Sequence, residues 1–351
     1  MFHVIVNPAS RSGRALSQWK ASEAAFRRAG VPYLVHYSER PGHVRQLCRA
    51  LTAGDEVVRF VIFGGDGTVN EAINGVRDLS RALFGYVPTG SGNDLARDLQ
   101  LPQERERLLQ TILRGKEVRR IDLGEIEYLR DGACLPDMGE AREQRTRRFA
   151  VSCGIGYDAA ICQEAAVSPL KKTLNALHLG KFIYLAAAVR QIMTAPMRPA
   201  VVEMTEGTDG DRTDNAERLQ AGKDGGREAA GLQGTDTAGK TVWRFNRFLF
   251  LTVMNHRFEG GGFQFCPRAD DRDGQLDLCA AADLNRLMFF RIFPSAYSGN
   301  HLRFHGVFGG RAAQVRIRTA LPLWVHTDGE VTRKASELTV RCLPGALRLM
   351  E

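Results

Sequence analysis

The sequence predicts an α/β N-terminal domain with a parallel sheet, followed by a mainly antiparallel β-sandwich C-terminal domain. Three observations lead there. Short apolar runs alternate with helical spacing at the start of the chain, strand-like runs follow one another later without regular helices, and 351 residues are comfortable for two domains. The expected boundaries are 1–120 and 121–351, with the extreme C-terminal residues able to pack back on the first domain.

Taken in order, FHVIVNP is a short strand that ends in a turn, and Leu16, Trp19 and Phe26 give helical spacing before Gly30 stops it. VPYLVHYS reads as the second strand. Val44, Leu47 and Leu51 mark a helix, VVRFVIF a third strand, and GGDGTVNEAINGV opens the next helix. FGYVPTGSG adds a fourth strand with another glycine-rich exit. Beyond about Arg120 come IDLGEIEYL, RRFAVSCGIG, RPAVVEM, WRFNRFLFLTVMN, GQLDLCAAAD, QVRIRTA, LWVHTDGE and ELTVRCL, the signature of an antiparallel β domain. A helical insertion, Ala159 to Met193, and a helix near Leu284 to Tyr297 interrupt them. Residues 206–240 are poor in large apolar side chains and rich in Gly, Asp and Thr. Such a segment buries too little surface to offset its ordering entropy and reads as a flexible hairpin insertion.

With 44% hydrophobic and 25% charged residues, the composition is that of an ordinary globular protein with a substantial core. The net charge of +8 favours acidic partners, whether nucleic acid, nucleotides or an anionic membrane face. Seven cysteines without a CxxC pair do not read as a disulfide framework, and a reducing cytosol is the natural setting. The N-terminus lacks the charged and apolar regions of a signal peptide. FIYLAAAV, at 182–189, falls far short of the roughly 20 residues that span a bilayer.

Three glycine-rich turns leave successive strands: NPASRSGRA (7–15), GGDGTVNE (64–71) and PTGSGNDLA (88–96). A turn that enters a helix offers backbone N–H groups at the positive end of the helix dipole, and glycine lets that backbone approach phosphate closely. In an open α/β sheet all three lie at the carboxyl edge, where ligands bind. Neither GxxxxGK[ST] nor GxGxxG occurs, so the common ATPase and dinucleotide fingerprints are missing. Asp66, between Gly64, Gly65 and Gly67, needs a reason: a carboxylate beside a phosphate site is repulsive unless a divalent cation lies between them.

GGDGTVNEAING followed by PTGSGNDLAR resembles the catalytic domain of the diacylglycerol kinase family, particularly its soluble bacterial lipid kinases, relatives of sphingosine and ceramide kinases. NPASRSG, HYSERPGH (36–43), GIGYDAAI (154–161), PRADDRDGQLDL (267–278) and HTDGE (326–330) follow in the family's order, so the resemblance covers nearly the whole chain. It implies an NAD-kinase/diacylglycerol-kinase-like fold, with ATP over the first domain. Asn7, Ser12, Arg14, Ser38, the loop of Gly64, Gly65, Asp66, Gly67, Thr68, Asn70 and Glu71, and the turn residues Ser91 and Asn93 would contact the nucleotide. Asp66 would act through Mg²⁺ and water on the γ-phosphate. Arg14 stands where relatives often carry lysine, in a turn with two extra residues.

In the second domain, Asp270, Asp273 and Gln275 pack oxygen donors around a turn that the family pattern makes a metal site; a solvated hairpin turn is the bland alternative. HTDGE is where the family places the general base that takes the lipid hydroxyl's proton, Asp328, with Glu330 as alternative or partner. His256, His301 and His326 lack metal-ligand spacing and read as structural or surface residues, and no GxSxG elbow occurs. LGKFIYLAAAVRQIM (179–193) and LNRLMFFRIFPSAY (284–297) pair apolar faces with Lys and Arg, which suits either core packing or docking on an anionic bilayer.

The expected activity is thus ATP- and Mg²⁺-dependent phosphorylation of a diacylglycerol-like or sphingoid lipid at the membrane surface, with no nucleic acid involved. The expected location is cytoplasmic or peripheral on the inner membrane face, and a homodimer stays open. A soluble-substrate kinase such as NAD kinase, which shares GGDGT, is the alternative. A non-enzymatic nucleotide-binding regulator is disfavoured, because it would have no need of Asp66, Asp273, Asp328 and Glu330 together.

Overall fold

The computed structural model describes residues 1–11, 13–115, 118–134, 145–167, 190–205, 232–235 and 240–351. Its N-terminal part runs β1 (Phe2–Val6), α1 (Arg14–Arg28), β2 (Tyr33–Tyr37), α2 (His43–Leu51), β3 (Val58–Gly64), α3 (Asp66–Gly75), β4 (Ala82–Pro88), α4 (Asp94–Asp98) and α5 (Arg105–Arg114). Strands β2, β1, β3 and β4 lie side by side in parallel register, with Val4 opposite both Val35 and Val61. Alternation along these strands feeds two cores. Ile5, Phe60, Ile62 and Phe84 pack against Val44, Val69 and Ile73 of α2 and α3, whereas Val4, Val6, Val61 and Phe63 pack against Trp19 and Phe26 of α1 and Leu109 and Ile112 of α5. Covering both faces is what parallel strands require, and it explains their near-continuous apolar runs.

The remaining elements are β5 (Val118–Cys134), β6 (Thr146–Phe149), β7 (Ser152–Gly156), α6 (Tyr157–Val167), β8 (Arg198–Thr205), β9 (Leu232–Thr235), β10 (Thr241–Met254), β11 (Leu276–Ala282), α7 (Arg286–Ile292), β12 (Val307–Ala312), β13 (Gln314–Thr327) and β14 (Glu330–Met350). They pair antiparallel around a core that includes Phe149, Trp243, Phe245, Phe248 and Ile317. The parallel strands do not form a separate sheet. β14 meets β4 through a parallel pair, Leu349 with Phe84, and its long body pairs antiparallel with β5 and β13, so the described strands form one mostly antiparallel, 14-stranded sheet. Leu347 and Leu349 consequently share a core with Phe60 and Phe84.

Strand β12 was not among the runs read from sequence, because its glycines, Gly309 and Gly310, dilute the apolar pattern. Most of the expected 206–240 insertion lies outside the described residues; within it, 232–235 form β9 beside β10. The expected 159–193 helix likewise has its middle, 168–189, outside them. No helix among the described residues is long and apolar enough to cross a membrane.

Gly124 on β5 sits directly opposite Phe149 on β6, and a Cβ built there would lie 1.9 Å from Phe149 Cζ. The fully buried ring therefore lies on bare backbone, a device that compensates glycine's weakness in a strand. Gly124→Val should displace Phe149 and destabilise the fold by about 2 kcal/mol, the usual scale of overpacking. Urea unfolding checks this; an unchanged midpoint would mean that the ring has room to move.

Candidate active site

The three glycine turns converge because β1, β3 and β4 end side by side. Asn7 N–H donates to Phe63 O (3.0 Å), Thr89 N–H to Gly64 O (2.7 Å), and Ser10 Oγ lies 3.0 Å from Thr89 Oγ1. Asn7 Nδ2 donates to Thr68 Oγ1 at 3.0 Å, tying the first turn to the first turn of α3. Gly65 and Gly90 touch backbone to backbone: a Cβ on Gly90 would lie 2.7 Å from Gly65 Cα, and one on Gly64 would lie 2.4 Å from Thr68 Cβ. At the start of α3 the amides of Thr68 and Val69 donate to Gly65 O, and a helix start leaves the amides ahead of them without intrahelical partners, the arrangement that suits an anion.

Asp66 opens that helix. Its Oδ1 accepts from Tyr86 Oη (3.3 Å) and its Oδ2 from the Asp94 N–H (3.0 Å). Burial, and then the Asp94 charge, push its carboxyl up to about 6. Asp94 is itself buried; its Oδ2 accepts from Gly261 N–H at 2.9 Å and its Oδ1 pairs with Arg97. This brings the left-handed glycine turn 260–262 against the site.

From the C-terminal half comes Asp328, in a left-handed conformation (φ 50°) between β13 and β14. Its carboxylate accepts four hydrogen bonds: Val151 N–H (2.8 Å) and Ser152 N–H (3.1 Å) on Oδ1, and Ala150 N–H (3.0 Å) and Asn70 Nδ2 (2.8 Å) on Oδ2. Asn70 is fully buried on α3, and its own Oδ1 accepts from Arg147 at 2.7 Å. Arg147 also grips Glu330 Oε2 at 2.5 Å. Glu330 Oε1 in turn lies 2.8 Å from where a Gly67 Cβ would stand, which explains that glycine. Burial raises the Glu330 carboxyl above its ordinary value, while Arg147 pulls the other way.

A second buried network backs this one. His326 Nε2 lies 3.2 Å from Asp158 Oδ2 and 3.4 Å from Glu259 Oε1, and Glu259 accepts from Ser152 Oγ (2.6 Å) and Thr252 Oγ1 (3.2 Å). Burial opposes protonation of His326, but Glu259 and Asp158 outweigh it and raise its pKa to about 9. His256 and His301 are also interior residues, held by Asp98 and by the Phe265 carbonyl. None of the three lies at the surface.

Of the residues predicted from sequence, Asn7, Gly64, Gly65, Asp66, Gly67, Thr68, Asn70, Asn93, Asp328 and Glu330 come together. Arg14 and Asn93 line an open cleft of about 650 Å³, with Gln18, Gly92 and Arg97. Ser91 is exposed at the tip of its turn and Ser38 N–H donates to Val6 O; Ser12 lies outside the described residues. Glu71 departs from its expected nucleotide contact: both its oxygens accept amides at the start of α2, from Gly42 (2.9 Å) and Val44 (3.1 Å). It caps a helix instead.

In the acidic turn the carboxylates already have partners within the protein. Asp270 Oδ1 and Asp273 Oδ1 accept from the amides of Arg272 and Gln275, closing local turns, and Asp273 Oδ2 pairs with Arg311 (3.1 Å), whose Nε lies 3.5 Å from Asp277. The positive charge there is already supplied by a guanidinium. Among the described residues no three His, Cys, Asp or Glu side chains gather to hold a metal ion. Sequence reasoning missed Arg147, Tyr86, Asp94 and Arg311. Asp94 adjoins the recognised Asn93, but no local pattern marks the others.

Glycine turns meeting backbone to backbone at strand ends, with carboxylates facing them from both halves of the chain, are the arrangement that phosphoryl transfer calls for. The description "Diacylglycerol kinase catalytic domain" matches residues 1–126, and "YegS C-terminal NAD kinase beta sandwich-like domain" matches 151–351. The chain belongs to the diacylglycerol kinase family and is a lipid kinase, a phosphotransferase with an alcohol group as acceptor. It is 24% identical over 349 residues to a diacylglycerol kinase of Mycobacterium tuberculosis (strain ATCC 25618 / H37Rv), covering 99% of this chain and 93% of that one. A diacylglycerol kinase of Bacillus subtilis (strain 168) is 24% identical over 332 residues, 93% of this chain and 88% of the relative. A crystal structure of a diacylglycerol kinase from Bacillus anthracis str. Sterne superposes with a TM-score of 0.60 at 17% identity, over 99% of this chain and 96% of that one, which shows a shared fold.

Because Asp66 titrates near 6 when folded and at 3.8 ordinarily, the folded chain binds its proton more tightly than the unfolded chain. The stability this group contributes is therefore full below pH 3.8 and lost as pH rises through about 6. Asp66→Asn, which cannot ionise, should be more stable than the parent at pH 8 by about 2 kcal/mol, allowing for solvent screening of a partly exposed group, and little different at pH 4. Chemical denaturation at both pH values checks this; equal stability at pH 8 would refute the strain.

Proposed function

We propose that the protein transfers the γ-phosphoryl group of ATP to a hydroxyl of a diacylglycerol-like or sphingoid lipid. The observation that carries this reading is the meeting of Asp66 and the glycine turns of the N-terminal part with Glu330 and Asp328 of the C-terminal part. In such a reaction the hydroxyl oxygen bonds to the γ-phosphorus, the bond to the β–γ bridging oxygen breaks, ADP leaves, and the hydroxyl proton passes to a base. Positioning and electrostatics provide most of the catalysis.

The amides at the start of α3 and in the turn after β4 are placed to receive phosphate oxygens, and Asn7 and Thr68 fix the loop between them. Asp66 and Asp94 fit a hard divalent cation on the chemistry of their oxygen donors and on the cost of ionising Asp66 beside Asp94 without one. Mg²⁺ held there would neutralise phosphate charge when bound.

Of the two acids in HTDGE, the geometry favours Glu330 as base. All four acceptor positions of Asp328 are filled by structural donors, so it would have to give up a bond to take a proton. Glu330 keeps Oε1 beside Gly67 and has Arg147 on Oε2, which orients it. Asp328 then acts as a positioning residue.

Two variants separate these roles. Glu330→Gln should lower lipid kinase kcat by at least about a hundredfold with a smaller loss of stability than Asp328→Asn, because Gln keeps an oxygen for Arg147, whereas Asp328→Asn turns an acceptor into a donor facing other donors and should lower both activity and stability. Assay uses labelled ATP with a panel of diacylglycerol and sphingoid lipids. Near-normal turnover by Glu330→Gln would return the base to Asp328, and transfer to NAD but to no lipid would overturn the substrate class.

A further inference from the structure

We propose that α7 and the 3₁₀ turn after it (Phe293–Ser298) form a docking face for an anionic bilayer, placing the active site at the lipid surface. This rests on the lipid-kinase reading and specifies how that site reaches its substrate. One side of the segment is core: Phe289, Ile292 and Ala296 are buried, and Phe289 packs with Tyr157, Phe250 and Leu284. The other side presents large apolar side chains to solvent. Leu287 is 71% exposed and Tyr297 55%, with Met288 and Phe290 also exposed. Met193 joins them at 56%, because the Arg286 guanidinium donates to the Ile192 and Ala195 carbonyls and holds that neighbouring segment against α7.

Charge selects the partner. From Leu284 to Phe308 the chain has no aspartate or glutamate but three arginines, and while Arg286 is spent on backbone carbonyls, Arg291 and Arg303 remain. Arg291 is exposed among the apolar side chains, and Arg303 on the adjoining 3₁₀ turn (Asn300–Arg303) is exposed too. Apolar tips that enter the acyl boundary and guanidinium groups that meet lipid phosphate are the chemistry of an interfacial helix.

The face is wired to the catalytic acids. Tyr297 stacks on Phe263 with ring centroids 3.9 Å apart. Phe263 follows the glycine turn whose Gly261 N–H donates to Asp94, and the Asp94 N–H donates to Asp66. A lipid that keeps its chains in the bilayer would thus offer its head group to the site without leaving the membrane.

The test sediments the full chain with vesicles of phosphatidylcholine alone or mixed with phosphatidylglycerol, and assays phosphorylation of diacylglycerol held in those vesicles or supplied as a short-chain monomer. The double variant Leu287→Asp, Phe290→Asp should bind anionic vesicles at least about tenfold more weakly, and Arg291→Glu several-fold more weakly. Both should lose activity on vesicle-held lipid while keeping activity on the monomeric lipid within about twofold, because none of the three residues touches the site. Parental protein that fails to bind anionic vesicles, or variants that bind as it does, would overturn the proposal. A dimer in solution that the double variant dissolves, without vesicle binding, would assign the face to a second copy and overturn it equally. Vesicle binding that the variants lose, with no lipid phosphorylated by the parent, would support the docking face and sink the kinase reading.

Discussion

The carboxylate of Asp328 is the joint on which the site depends. It receives three successive amides, 150 to 152, from the stretch that leads into β7, and the side-chain amide of Asn70 from α3, the helix that Asp66 begins. Hydrogen bonds to a charged acceptor are each worth about 1.5 to 3 kcal/mol net, and leaving a donor buried without its acceptor costs on the same scale. Such a cluster can hold Asp328 in a left-handed conformation that a non-glycine residue seldom adopts. Everything nearby takes its position from that. Two residues on, Glu330 begins β14 and faces Gly67, and Arg147, on β6 just before the stretch that supplies those amides, joins Glu330 to Asn70.

Long β14 carries the same constraint across the molecule. It starts at Glu330 in the site, pairs with β13 and β5 along its length, and ends with Leu349 beside Phe84 of β4. β4 in turn ends at the glycine turn that packs on Gly65. Both walls of the site are therefore stitched by one strand. The Gly124–Phe149 contact belongs to this arrangement, since Phe149 lies just before the amides that hold Asp328.

What the sequence made legible was local. The alternation of strand and helix, the glycine turns and the HTDGE motif can each be read within about ten residues, and the structure brings those turns together because strands of a parallel sheet end at one edge. What stayed hidden depends on partners far along the chain. Arg147 sits in a plain polar run and gains its role through Asn70 and Glu330, the latter 183 residues away. Glu71 lies inside a phosphate-loop motif yet spends its carboxylate on the start of α2, a use its sequence neighbours cannot reveal. Asp273 belongs to a turn spaced for a cation, and it pairs with Arg311 on β12, a strand whose glycines hid it. Continuity of the sheet was similarly unreadable, because it rests on where the last strand returns.

The distribution of charge gives the site its chemistry. A chain with net charge +8 gathers Asp66, Asp94, Asp328, Glu330, Asp158 and Glu259 within mutual electrostatic reach. Asp328 is met by three backbone amides and Asn70. Where donors are fewer, the protein answers with a cation, Arg147 for Glu330, Arg97 for Asp94 and His326 for Asp158 and Glu259. Asp66 alone of these meets one hydroxyl, one amide and a neighbouring negative charge, and its proton affinity rises accordingly. An acid left in that condition at the start of a helix, where the dipole and unpaired amides favour anions, is a place where positive charge is still wanted and phosphate is already welcome. Both demands would be met at once by a cation arriving with a nucleotide's phosphates, so on the proposed reading the electrostatic strain at Asp66 and the amides beside it are two halves of one binding site.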